Sequence, residues 1–137
     1  MEGEGGVTHC GVTGIVTPSV ASAFLTDSQK FVERVGADAL IAHYERSIMA
    51  IAPEQLLNRV RAMIHESRHG GLALPVALVV RPEETPTWRR YALTMASHGI
   101  VRGVFTDVEQ AERWAAEKAR VYSALRAARS RTLQSES

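Results

Sequence analysis

The run Pro75-Val-Ala-Leu-Val-Val80 carries no polar side chain. An unbroken apolar stretch of this length is what a central strand needs when both its faces are covered. Working outward, the same unit recurs on either side. Thr85-Pro86 opens a helix with Trp88, Tyr91, Ala92 and Met95 three and four apart, and Gly99 follows. Ile100 to Phe105 is the next strand, and Thr106-Asp-Val-Glu109 reads as a capping box for a last helix. That helix turns Val108, Ala111, Ala115, Tyr122 and Leu125 inward and runs to about Ala127, leaving a frayed polar tail from Ser130. Upstream, Ala39 to Tyr44 is a strand, Ile48 to Ile51 an apolar connection, and Pro53 starts a helix with Leu56, Leu57, Val60 and Ile64 inward. Cys10 to Val16 is the first strand. Thr17-Pro18 caps the first helix, which has Ala21, Phe24, Leu25, Phe31, Val32 and Val35 on one stripe and Gly36 at its end.

Strands separated by single helices predict parallel pairing through right-handed crossovers. The fold class is therefore α/β: one domain, with a mainly parallel sheet of four to five strands and helices packed on it. Its expected limits are residues 9–128, between a flexible N-terminus (1–8) and a polar tail (129–137).

Composition narrows the function. A chain of 137 residues with net charge +1 sets up no field that draws nucleic acid. No apolar run approaches the roughly 20 residues needed to span a bilayer. The start, Met1-Glu-Gly-Glu-Gly-Gly6, has neither the basic end nor the apolar stretch of a secretory signal. The single Cys10 fits a reducing compartment. The expectation is a cytoplasmic protein with no nucleic-acid or membrane partner.

His65-Glu66-Ser67-Arg68-His69 matches the H-E-x-x-H pattern of zinc hydrolases. The helix context argues against zinc. Leu56, Leu57, Val60, Met63 and Ile64 cluster within about 60° of one direction, and His65 and His69 fall roughly 140° and 180° away from it. A catalytic zinc needs a third protein ligand and a sheltered cleft, whereas Gly70-Gly71 ends this helix at once. We read the motif as a solvated helix end, with no metal and no cofactor.

Other chemistry is also thin. Gly11-Val-Thr-Gly14 lies in a strand and opens no helix, so it is no dinucleotide fingerprint. Cys10 opens a strand rather than a helix N-terminus, which makes it a small hydrophobe before a nucleophile. Trp88 and Trp114 sit at core spacing. Arg113, Lys118, Arg120, Arg126, Arg129 and Arg131 surround the last helix as a solvated face. What remains is positional, because ligands gather at the carboxyl ends of parallel strands. Those ends carry Glu45, Arg46 and Ser47, then Arg81, Glu83 and Glu84, then Thr106 and Asp107. Structural capping is an equal reading for each of them.

The segment Gly103-Val-Phe-Thr-Asp-Val-Glu-Gln-Ala-Glu-Arg-Trp-Ala115 resembles the closing part of STAS/SpoIIAA-like domains, the anti-sigma factor antagonist group. Ala39 to Ile51 and Ala77 to Val80 resemble that family's earlier strand-and-loop and central strand. The resemblance spans about residues 8 to 122, a single-domain length. It implies a non-enzymatic regulatory module that binds a protein partner or itself, as a homodimer. In antagonists a phosphorylatable serine opens the second helix; here that place holds Ala52-Pro53-Glu54, and His43 stands where the family often has an aspartate. The phospho-switch is left unsupported, although Glu54 imitates a permanent charge at a helix N-terminus. The alternative is an enzyme, or a binder of a lipid or other small molecule, using the strand-end rim with an apolar ligand beside Ile48, Met49 and Ile51.

Overall fold

The computed structural model describes residues 6–65 and 73–136. The chain runs β1 (Val7–Val16), α1 (Pro18–Val35), β2 (Ala39–Met49), α2 (Pro53–His65), β3 (Val76–Val79), a 3-10 turn (Pro82–Glu84), α3 (Thr85–Ala96), β4 (Arg102–Phe105) and α4 (Val108–Glu136). The four strands form one sheet in sequential order β1-β2-β3-β4, and every pair is parallel. This is the α/β architecture the sequence predicts, with four strands.

Sequential order has a consequence for layering. Successive crossovers of one hand place every connecting helix on the same side of the sheet. Accordingly, Ala21 and Val32 of α1, Leu56, Leu57 and Val60 of α2, and Trp88, Tyr91 and Met95 of α3 share one core with Leu40, Ala42 and Tyr44 of β2. Side chains alternate along a strand, so Ala39 and Ile41 face the other way. There they meet Ala77 and Val79 of β3 and the stripe Ala111, Ala115 and Ala119 of α4. Alanine at every fourth position gives α4 a flat face, and all three alanines are fully buried. Gly103 is needed beside it: a Cβ there would stand 2.5 Å from Phe105 and 3.1 Å from Trp114.

The end signals of α1 are as expected. Val20 N–H donates to Thr17 Oγ1 at 3.3 Å, and Gly36 closes the helix in the left-handed region at φ 71°.

Several boundaries differ from expectation. β1 begins at Val7 rather than Cys10, because Gly6 O accepts from Asp38 and Ala39 N–H and sets the β1–β2 register three residues earlier. β2 continues to Met49 alongside β1, past an irregularity between Gly11 and Thr13. Residues 45–49, expected as loop, are therefore strand. α4 extends to Glu136, nine residues beyond Ala127. Its Val108 and Leu125, expected inward, are exposed, because the buried stripe runs through Ala111, Ala115, Ala119 and Tyr122.

The start of α4 is capped differently as well. Asp107 Oδ1 accepts from Glu109 N–H at 3.0 Å, so Asp107 is the capping residue and the Thr106 capping box does not form. Asp107→Ala is expected to cost about 1 kcal/mol, and Thr106→Ala less than about 0.5 kcal/mol. Urea midpoints of the two variants check this, and equal losses would contradict it.

Candidate functional site

The chemistry-bearing residues fall into three places: the strand-end rim, a histidine row on the α4 face, and a cavity under α1–α3.

At the rim the structure brings together Ser47 and Arg81. Arg81 Nη2 donates to Ser47 O at 3.3 Å, and Ser47 Oγ donates to Tyr44 O at 2.8 Å. Arg81 pairs with Glu84, its Nε at 3.0 Å from Oε1, while Glu83 is exposed. The Glu84 carboxylate raises the Arg81 guanidinium above its ordinary value. The pair pins the 3-10 turn to β2. Arg46, Glu54 and Thr106 are exposed, Asp107 is spent on its cap, and Glu45 belongs to the histidine row. Among the rim residues the hydrogen bonds join Ser47, Arg81 and Glu84.

The histidine row was not visible in the sequence. His9 Nδ1 lies 2.9 Å from His43 Nε2, and the rings stack with centroids 5.1 Å apart. His43 Nδ1 stands 3.3 Å from Glu45 Oε2, and His9 Nε2 stands 3.8 Å from Glu112 Oε2. A carboxylate thus flanks each end of an imidazole pair. The row lies on the surface, with His9 and Glu112 exposed. Its members are 34 residues apart in β1 and β2, and only strand register brings them together.

His65, the first histidine of the H-E-x-x-H pattern, is exposed at the end of α2; Glu66 and His69 lie outside the described residues. Among the described residues no group of three or more His, Cys, Asp or Glu side chains has metal-binding geometry. No described helix is long and apolar enough to cross a membrane.

The cavity has a volume of about 160 Å³ and lies between the sheet and α1–α3. Its floor is built from the even-numbered face of β2 and the residues in register with it: Leu40–Val76–Arg102 in one row, Ala42–Leu78 in the next, then Tyr44. Phe24 and Ser28 of α1, Val60 and Ile64 of α2, and Trp88 and Met95 of α3 form the roof. The space exists where facing side chains are short. Ala42 is in register with Cys10 of β1, and the Ser28 hydroxyl lies beside the Cys10 thiol. Burial pushes that thiol up, and the hydroxyl only partly offsets it, so Cys10 is a protonated, half-buried core side chain.

Three polar groups break the apolar wall. Ser28 Oγ is buried with no hydrogen-bond partner of full geometry. Burial raises the Tyr44 hydroxyl well above its ordinary range, against an opposing pull from Arg102. Arg102 retains some solvent access, yet burial is the main influence on it and lowers its guanidinium to about 10. It therefore stays charged at neutral pH. Its Nη1 donates to Leu74 O at 3.0 Å and Val101 O at 3.4 Å. Among the described residues it has no carboxylate partner.

This is not where an apolar ligand was expected. Ile48, Met49 and Ile51 lie outside the cavity: Ile48 is exposed on β2, and Ile51 is buried, its carbonyl accepting from the Tyr91 hydroxyl. Sequence reasoning also missed Arg102, because one arginine in an apolar strand looks like a solvent-facing alternation.

No protein-family model, no curated protein and no solved structure matches this chain.

Proposed function

We propose that this chain is a non-catalytic binding module that holds a small apolar ligand in the cavity beneath α1–α3. The observation that carries this reading is the cavity itself. Close-packed interiors rarely keep space larger than a water molecule. An apolar void of about 150 Å³ is enough to take a benzene-sized guest, and this one is comparable. The upward shift that burial gives the Cys10 thiol argues against its use as a nucleophile. The partner-binding, regulatory use that the STAS resemblance implies fits a module whose helices respond to an occupant beneath them.

The test uses 1-hexanol as a neutral probe. A ligand that binds only the folded state stabilises it in proportion to the logarithm of its concentration. The melting temperature of wild type should therefore rise with hexanol, and that of Ala42→Leu, which fills the cavity floor, should not. Equal behaviour of the two proteins would remove the cavity reading. A second reading, self-association, is favoured by Ile15 and Ile48, register neighbours on β1 and β2 that are 62% and 56% exposed. Native mass spectrometry of the same samples reads the assembly mass, and a monomer at all concentrations would sink it.

A further inference from the structure

We propose that the ligand of this cavity is a monoanion, an apolar body ending in a carboxylate, and that Arg102 is the group that receives it. The inference rests on the cavity reading and adds the chemical class of the occupant.

A cation at the wall of an apolar space is costly unless something compensates it. The other charged side chains lining the cavity are already engaged. Arg126 is paired with Asp38, and Glu33 accepts from Gln29 Nε2 at 2.7 Å. Arg102 differs, because its only partners among the described residues are two backbone carbonyls, both taken by Nη1. Nε and Nη2 remain, and these form the side of the guanidinium fork that a carboxylate meets with two parallel hydrogen bonds. A phosphate dianion would bring a second charge into a space with one available cation, so a single carboxylate is the matched head group.

The position of Arg102 fits this use. It stands on the first row of the floor, in register with Val76 and Leu40 at the amino ends of the strands. An apolar body extending from it passes over Leu78 and Ala42 toward Trp88. Tyr44 lies close enough for each group to act on the other's charge. Ser28 Oγ, 6% exposed and without a full partner, supplies a further donor inside the same space.

The experiment compares hexanoate with 1-hexanol, matched in length and differing in charge, by isothermal titration at neutral pH. Hexanoate should bind wild type at least about tenfold more tightly, the increment of a hydrogen bond to a charged group. Arg102→Met should bring hexanoate down to the affinity of hexanol while leaving hexanol unchanged, which also shows that the variant is folded. Arg102→Lys, which keeps the charge without the fork, should fall between the two. If wild type binds both probes equally, the anion proposal is overturned and the cavity reading survives. If wild type binds neither, both are overturned. Should Arg102→Met fail to fold, the wild-type comparison alone decides.

Discussion

Replacing Trp88 by alanine is expected to lower the unfolding free energy by about 3–5 kcal/mol, the usual range for a large aromatic deleted from a core. Trp88 is only 1% exposed and is the largest fully buried side chain. It sits in the middle of an aromatic row. Its ring lies 4.4 Å from Tyr44 and 5.2 Å from Tyr91, centroid to centroid, and Tyr44 in turn meets Phe24 edge-on at 5.5 Å. The row joins α1, β2 and α3, so truncation loosens three elements together. The new void also adjoins the existing cavity and cannot close by a local shift. Trp114→Ala is the comparison. That ring is half-buried against Phe105 with Lys118 over its face, and its loss should cost distinctly less. Guanidinium denaturation of both variants checks the order, and a Trp88 effect below about 1 kcal/mol would mean that the row is not packed as described.

How much of this was legible in the sequence depends on the range of the interaction. The first strand-and-helix junctions were readable because their signals are local. Thr17-Pro18 and Gly36 act on backbone within one turn, and Val76 to Val79 is buried on both faces just as its composition demands. The strand limits of β1 and β2 were not readable, since Val7 to His9 is strand only because β2 lies beside it. The shift of the α4 cap from Thr106 to Asp107 is a one-residue choice between two good capping side chains, which composition alone does not decide. The site was the least legible part. The rim was inferred from a general rule about strand ends, and there Ser47, Arg81, Glu84 and Asp107 make structural contacts while Arg46, Glu54, Glu83 and Thr106 are exposed. The cavity depends on short side chains from different elements, Ser28 of α1 and Ala42 of β2, lining one space, and the lack of a carboxylate partner for Arg102 among the described residues depends on which carboxylates are already engaged. Neither leaves a periodic trace.

The same logic governs the basic residues of α4, which as a set resemble a solvated face. Arg126 departs from that pattern, and Arg126→Met is expected to destabilise the protein by about 3 kcal/mol, the cost of breaking a buried ion pair by removing one partner. Asp38 is fully buried at the junction of α1 and β2. Arg126 reaches it with Nε at 3.0 Å and Nη2 at 2.6 Å from Oδ1, while the Asp38 backbone N–H donates to Gly6 O at 2.7 Å. One residue therefore ties the start of β1, the entry to β2 and the far half of α4. The pair need not exceed an apolar replacement in stability, because two charges lose hydration on burial; what is expensive is removing one partner alone. Adding Asp38→Asn to Arg126→Met should accordingly recover part of the loss, and the double-mutant cycle should show coupling above about 0.5 kcal/mol. Arg120→Met, at an exposed position of the same helix, should shift stability by less than about 0.5 kcal/mol. Denaturant midpoints of the four variants read all these terms, and a loss from Arg126→Met no larger than that from Arg120→Met would show that α4 is not anchored through Asp38.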